Sequence, residues 1–145
     1  MIAALWLAMG IAVAFVGWKL YRRFGVDRIA ELNERRRGSS RMVGRGEFVD
    51  GNRHLDVALA VTQSTFFYEN SDMQASLDLQ WVREIEYDTQ LATGGVVPGG
   101  KVLRLRSDSQ TFEFVVPDDM VARWHVMMPA RRAMGDAVPL SVAAN

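Results

Sequence analysis

The sequence predicts a mainly β protein with α: an N-terminal transmembrane helix, an antiparallel sheet of consecutive strands, and one C-terminal helix that closes the sheet. Three observations predict this fold class. The first 18 positions carry no charged side chain. From about residue 47 the hydrophobic period becomes two, as in a strand with one buried face. A helical apolar stripe then follows Pro117. At 145 residues, the chain has room for an anchor and one small domain.

The N-terminal segment Ile2 to Leu20 is apolar and just long enough to cross a bilayer, which takes about 20 helical residues. A cleaved signal peptide is the alternative. It would need basic residues before the apolar run and a small-residue cleavage site after it, whereas here bulky basic residues follow the run. The segment is therefore predicted to be a single-pass membrane anchor, within a first region of residues 1–24.

The residues at the end of the anchor predict its orientation. The membrane-interface residues are expected to be Trp18, Lys19, Tyr21, Arg22 and Arg23. Because basic residues that flank a span stay on the cytoplasmic side, we expect the N-terminus outside and the folded domain in the cytoplasm, at the inner (plasma) membrane. Ala4, Ala8, Gly10 and Ala14 have the spacing that lets a second helix approach, so a protein partner can also contact the span.

Residues 25–46 are predicted to form a basic juxtamembrane helix and a linker. Ile29 and Leu32 lie on one helical face, Glu31 can pair with Arg35, and Gly38 to Gly46 read as the linker. The run Arg35, Arg36 and Arg37 is a candidate contact for anionic lipid headgroups or for a partner. The alternative is that these charges only set the membrane topology and solvate the end of the helix.

The charges of the two halves differ in sign although the net charge is zero. Lys19 to Arg45 holds nine basic and three acidic residues, and the chain from Glu47 onward holds eight basic and fourteen acidic ones. An acidic folded domain is a poor partner for nucleic acid, so none is expected. The chain has no cysteine, which excludes disulfides, thiolate metal sites and a cysteine nucleophile.

Residues 47–130 are predicted to be the folded domain. Strands are predicted where apolar and polar residues alternate: Leu55, Val57, Leu59 and Val61 in one strand, Leu103 and Leu105 against Arg104 and Arg106 in another, and Phe112 and Phe114 against Thr111 and Glu113 in the next. Leu77 to Tyr87 contains a break that suggests a bulge or bend. The interior is expected to hold aliphatic and aromatic side chains from these strands together with two tryptophans: Leu59, Phe67, Leu79, Leu103, Phe114, Trp81 and Trp124. Residues 131–145 are predicted to be a flexible tail.

A glycine-rich segment, Thr93 to Gly100, separates two of the predicted strands. It lacks the lysine and the following helix that a phosphate-binding loop needs, so we interpret it as a mobile hairpin connection. Its Val96 and Val97 are candidate partner contacts, since binding residues often lie on loops.

The closing helix is predicted to begin after Pro117, with Asp118 and Asp119 in a first turn that the helix dipole favours. One stripe contains Met120, Val121, Trp124, Met127 and Met128. We expect this stripe to pack on the core, although a methionine-rich stripe can also form an adaptable partner groove.

This order of elements resembles the pleckstrin-homology (PH)-like fold, in which an antiparallel half-barrel is closed by a C-terminal helix. VTQSTFFY (Val61 to Tyr68) and LDLQWVREIEY (Leu77 to Tyr87) resemble the strand patterns of bacterial PH-like and GRAM domains. The resemblance covers about residues 48–128 and implies binding of lipid headgroups or peptides rather than catalysis. In the position of the first hairpin loop, Asp50 to His54, the chain offers only Arg53 and His54 beside Asp50, which departs from the basic loop of headgroup-binding PH domains.

The sequence contains no recognisable catalytic or metal-binding constellation. The two histidines, His54 and His125, have no second ligand at metal spacing, and the paired carboxylates fit solvent faces and helix capping. We therefore expect no enzyme, cofactor or metal. The predicted function is a noncatalytic, membrane-tethered interaction module, an accessory or scaffold component that binds a protein partner. The alternative is an anionic-lipid sensor that uses the basic stalk and the PH-like domain. Arg53 is a candidate contact for lipid or for a partner.

Overall fold

The computed structural model describes residues 27–132, which form one sheet and two helices. A first helix, α1, covers residues 27–37 of this part of the chain. Seven strands and a second helix follow: β1 (Met42–Asp50), β2 (Arg53–Val61), β3 (Thr65–Glu69), β4 (Gln74–Asp78), β5 (Glu84–Asp88), β6 (Gly100–Arg106), β7 (Thr111–Pro117) and α2 (Asp118–Met127). The prediction of a mainly β domain that ends in a helix is confirmed.

The sheet is antiparallel throughout and open, with the strand order β4-β3-β2-β1-β7-β6-β5. β1 is central and pairs with β2 along its whole length, from Met42 opposite Val61 to Asp50 opposite Arg53. Its second half also pairs with β7. The two edge strands, β4 and β5, are not paired with each other. We call the face of the sheet that surrounds the core the inner face, and the opposite face the outer face.

The core lies between the inner face and α2. Trp124 of α2 is fully buried. Its ring centroid lies 5.9 Å from the ring centroid of Phe66, and its indole faces β1. Phe66 in turn contacts Phe114 at 5.0 Å between centroids. The predicted stripe on α2 is confirmed as core, because Met128 is also buried and its other members pack against the cluster: Met120, Val121 and Met127.

The sheet starts earlier than the sequence predicts. Residues 42–46, assigned to the linker, form the first half of β1 and not a linker, because they pair with β2. Their glycines conceal the strand pattern, but the fold needs them. A Cβ on Gly46 would lie 2.6 Å from the carbonyl oxygen of Val115 and 2.7 Å from Leu59. Gly44 lies beneath the Trp124 ring, so these glycines let β1 pass close to its neighbours.

The helix α1 packs on the outer face instead of standing clear of the domain. Its Ile29 and Leu32 are buried together with Ala58 of β2. Arg36 lies over the ring of Phe67 at 3.9 Å and forms an ion pair with Glu69. The predicted helix and its Glu31–Arg35 pair are confirmed. The segment between helix and sheet is short, residues 38–41, and Arg41 already donates its N–H to Val61.

Two predicted core residues are placed differently. Trp81 is 61% exposed, because β4 ends at Asp78 and a turn precedes β5. The break that the sequence showed is therefore a turn between two strands, and the alternation that placed Trp81 inside does not extend across it. Phe67 is half-buried on the outer face under Arg36, while its neighbours Phe66 and Tyr68 point into the core.

The predicted flexible tail also starts too early. Arg131 pairs with Ile85 on the edge of β5, with hydrogen bonds of 2.8 and 2.9 Å. The described residues, 27–132, contain no helix that is long and apolar enough to cross a membrane. The predicted span, Ile2 to Leu20, lies outside the described residues.

Candidate interaction surface

The connection between β5 and β6, residues 89–99, is an ordered loop in the structure, which we call the 89–99 loop. It folds on itself through hydrogen bonds from the N–H of Leu91 to Gly95 O, of Gly94 to Leu91 O, and of Val97 to Thr89 O. Gly94 and Gly99 adopt positive φ angles of 91° and 71°, which glycine accepts without strain. The loop therefore has a defined hydrogen-bonded structure, and its mobility stays a prediction.

A charged cluster on the outer face holds this loop against the sheet. Arg104 of β6 and Glu113 of β7 face each other across the strands, with side chains only 7% and 10% exposed. Arg104 Nε donates to Glu113 Oε1 at 2.9 Å. The same carboxylate accepts the N–H of Ala92, and Arg104 Nη2 donates to the carbonyl of Gln90. Both partners therefore bind loop backbone as well as each other.

Two more carboxylates complete the cluster. Arg104 Nη1 contacts Glu86 at 2.9 Å and Asp88 at 3.3 Å. The backbone N–H groups of Thr89 and Gln90 hold the pKa of Asp88 below its usual range, and Arg104 adds to that effect. Burial would lower the pKa of Arg104, but the surrounding carboxylates outweigh it and raise the pKa. One guanidinium thus forms ion pairs with three carboxylates at the base of the loop.

The loop presents apolar side chains outward. Val96 is 67% exposed, Val97 is half-buried and Pro98 is exposed. Cavities of about 420 Å³ lie on both sides of the loop, one lined by Pro98, Gly99 and Val115 among others and one by Ala92, Thr93 and Phe48. A fixed loop that carries an exposed valine between two clefts is suited to contact a folded partner with little ordering cost.

The arginines of α1 all have acidic partners. Arg35 pairs with Glu31 at 2.5 Å, and Arg37 with Glu34 at 3.4 Å, both on the exposed surface of the helix. Arg36 donates through Nε to Glu69 at 3.2 Å, and this bond holds the pKa of the Glu69 carboxyl below its usual range against the effect of burial. The structure therefore separates the three candidates: Arg36 supports the fold, while Arg35 and Arg37 face solvent.

The remaining predicted site residues do not come together in one site. Arg53 and His54 lie at the exposed tip of the β1–β2 hairpin, and His54 Nδ1 lies 2.9 Å from Glu47 Oε2. His125 stacks on Tyr87 at 3.7 Å. Within residues 27–132, no group of three or more His, Cys, Asp or Glu side chains is arranged to hold a metal ion. The predicted membrane-interface residues, Trp18 to Arg23, lie outside this part of the chain.

Sequence reasoning found Val96 and Val97 but missed the cluster that positions them. In the sequence, Arg104 is a polar residue between Leu103 and Leu105, and Glu113 is one between Phe112 and Phe114, as the solvent face of any alternating strand would have. The one signal was opposite charge on neighbouring strands, which favours cross-strand pairing. Their burial depends on how the loop folds back, and no local pattern encodes that.

No protein-family model, curated protein or solved structure matches this chain.

Proposed function

We propose that this chain is a noncatalytic interaction module with a PH-like half-barrel, tethered by its N-terminal span, that binds a protein partner at the cytoplasmic face of the plasma membrane. The observation that carries the proposal is the 89–99 loop. Here Arg104 and Glu113 are used to fix its backbone, and Val96 is left exposed.

The strand order and the closing helix support the PH-like part of the proposal. Four strands, β4 to β1, continue into the second group β7 to β5, and Trp124 of α2 fills the interior between them. An interior filled with side chains leaves binding to the loops and outer surface. This is consistent with a domain that recognises another protein rather than enclosing a small molecule.

The docked α1 supports a tether of fixed geometry. If the predicted span continues into α1, the contacts of Ile29, Leu32 and Arg36 hold the sheet at a set orientation to the membrane. In that arrangement, the end of the domain closest to the bilayer would be the cleft between α1 and the β3–β4 turn, which is lined by Arg28 and Asn70 among others. A partner at the membrane would then meet the 89–99 loop in a constant position.

The test compares two exposed valines on different surfaces. The full-length protein is purified in mild detergent as wild type, Val96→Asp and Val126→Asp, and the proteins that copurify are quantified by mass spectrometry. Val126 is 74% exposed on α2 and serves as the matched control. We expect a partner to copurify in stoichiometric amount with the wild type and with the control. With Val96→Asp, the amount of that partner recovered should be at least tenfold lower.

Equal recovery with all three proteins would contradict the proposed contact surface. The lipid-sensor alternative makes a different prediction, namely that a fragment of residues 27–132 binds anionic vesicles in ~0.15 M salt, where the Debye length is about 8 Å. Specific vesicle binding by this fragment, together with unchanged partner recovery, would favour the sensor over the protein-binding module.

A further inference from the structure

The edge strand β4 presents backbone hydrogen-bonding groups in a defined pattern. At the two ends of its ladder with β3, Leu79 donates its N–H to Ser64 O at 2.7 Å and Asn70 donates its N–H to Met73 O at 2.8 Å. In an antiparallel ladder every second residue bonds to the same neighbour, so the odd-numbered residues of β4 bond to β3. Within residues 27–132, no strand lies on the other side of β4. The backbone groups that point to that side belong to the even-numbered residues Gln74, Ser76 and Asp78.

The edge strand at the other end of the sheet, β5, differs in both backbone and charge. Ile85 and Arg131 exchange hydrogen bonds of 2.8 and 2.9 Å, so the centre of that edge already has a neighbour. The outer face of β5 carries only acidic side chains, and pairing with a second β5 would place like charges opposite each other: Glu84, Glu86 and Asp88. The sheet of the described chain can therefore extend at β4 and not at β5. An interface that uses the same edge of both molecules closes as a dimer and does not grow into a filament.

We propose that β4 pairs with β4 of a second copy of this chain, antiparallel and about a two-fold axis at Ser76. In this register Ser76 faces Ser76 of the second copy, and Gln74 faces Asp78. The N–H of Ser76 then donates to the carbonyl of Ser76 in the second copy. The N–H of Asp78 donates to the carbonyl of Gln74, and the two-fold axis repeats each bond. The groups that the β3–β4 ladder leaves pointing outward thus find partners in each other.

The side chains select this register. On the outer face, the amide of Gln74 lies opposite the carboxylate of Asp78, so no like charges meet. On the inner face, the small Ala75 lies opposite the larger Leu77, and both are half-buried in the single chain. Moving the axis by one residue to Ala75 would place Asp78 opposite Asp72 of the second copy, which is a pair of like charges.

Trp81 adds apolar surface at each end of the paired strands. Its ring is 61% exposed, and its backbone N–H donates to the carbonyl of Asp78 at 3.1 Å, which holds it beside the end of β4. Because the two strands are antiparallel, this end meets the start of β4 in the second copy, next to the half-buried Met73. The interface therefore gives an exposed tryptophan an apolar neighbour, twice per dimer.

The symmetry places both α1 helices on one side of the dimer. A two-fold axis between antiparallel strands of one continuous sheet stands perpendicular to the sheet, so the outer faces of the two copies lie on the same side. Since α1 packs on the outer face, both helices lie there, as two chains tethered to one membrane would need. The 89–99 loop joins β5 to β6 at the other end of the strand order, so the dimer uses none of its residues.

A cysteine at the axis tests the pairing directly, because the chain has no native cysteine. In an antiparallel hydrogen-bonded pair the Cα atoms are about 5.5 Å apart, within the roughly 4.4–6.8 Å that a disulfide spans. The full-length protein in mild detergent is oxidised as Ser76→Cys and as Ser109→Cys, which changes another exposed serine in the β6–β7 turn. On a non-reducing gel we expect a disulfide-linked dimer with Ser76→Cys and a monomer with Ser109→Cys.

Proline at the same position tests the backbone bonds. Because the N–H of Ser76 points away from β3, Ser76→Pro removes a donor that the β3–β4 ladder does not use. Ser76→Ala keeps the donor and is the matched control. By analytical ultracentrifugation of the full-length proteins in detergent, the dissociation constant of the dimer should match the wild type for Ser76→Ala. It should be at least ~tenfold higher for Ser76→Pro.

Equal cross-linking of the two cysteine variants, or equal dissociation constants for Ser76→Pro and Ser76→Ala, would overturn the proposal. If Ser76→Pro failed to fold, the cross-linking comparison alone would decide. A monomeric wild type would also overturn it, and protection of the amides of residues 74, 76 and 78 from hydrogen exchange in that monomer would assign the edge to another segment of the same chain. None of these results depends on the partner of the 89–99 loop, which Val96→Asp tests separately.

Discussion

Replacing Arg104 by methionine tests whether the buried charge cluster holds the 89–99 loop. The substitution leaves Glu113, 10% exposed, without its cation, and removes the donor to Gln90 O. Loss of one partner of a buried ion pair costs about 3–5 kcal/mol. Because Glu86 and Asp88 are more exposed and regain water, we expect the lower half of that range for Arg104→Met.

The assay is urea unfolding of a fragment of residues 27–132, followed by tryptophan fluorescence. With a slope of about 1–2 kcal/mol per molar urea for a domain of this size, a loss of ~3 kcal/mol lowers the midpoint by roughly 1.5–3 M. Glu113→Gln keeps an acceptor for Ala92 and Arg104, so it should cost only about 1 kcal/mol. Limited proteolysis should cut Arg104→Met within the loop before the wild type.

The matched control is Arg83→Met. Arg83 forms a two-point ion pair with Asp108, but both side chains are more than half exposed, and exposed pairs contribute at most about 1 kcal/mol. We therefore expect little change in its midpoint. The assigned role of the cluster would be refuted if the free energy of unfolding of Arg104→Met lay within ~0.5 kcal/mol of the wild-type value, or did not differ from that of the control.

The other predictions use the same fragment. Trp124→Ala should cost ~3–5 kcal/mol because its ring is fully buried, whereas Trp81→Ala should stay within about 0.5 kcal/mol; equal midpoints would contradict the placement of either ring. Gly46→Ala should destabilise the fold by ~1–3 kcal/mol, because the added Cβ would lie 2.6 Å from the carbonyl oxygen of Val115. Gly38→Ala should not destabilise the fold, because nothing lies within 4 Å of its added Cβ, and calorimetry measures both variants. Glu69 has a lowered folded-state pKa, so its stabilisation is present above its unfolded-state pKa and lost as pH falls through the folded one. Glu69→Gln should therefore flatten stability against pH in the acid range, and an unchanged profile would argue against this pairing.

The resulting account of α1 changes how the basic stalk is understood. Sequence reasoning treated Arg35 to Arg37 as equivalent candidates for lipid or partner contact. The packing of Ile29 and Leu32 on Ala58 turns Arg36 toward the sheet, where Glu69 and the Phe67 ring receive it. The helical period could show which side of α1 was apolar, but not which surface that side would cover.

The sequence by itself determined the features that depend on local periodicity. The alternation of Leu55, Val57, Leu59 and Val61 predicted β2 and its buried face, and the stripe around Trp124 predicted the closing helix; both follow from the geometry of one element. Only the tertiary structure decided the first half of β1, the exposure of Trp81, and the burial of Arg104 with Glu113. Two of these depend on residues distant in sequence: Gly46 is required by the carbonyl of Val115, and the ion pair is covered by a loop that its own charges hold in place. Trp81 is exposed because β4 ends before it, and the alternation of apolar residues does not show where a strand ends.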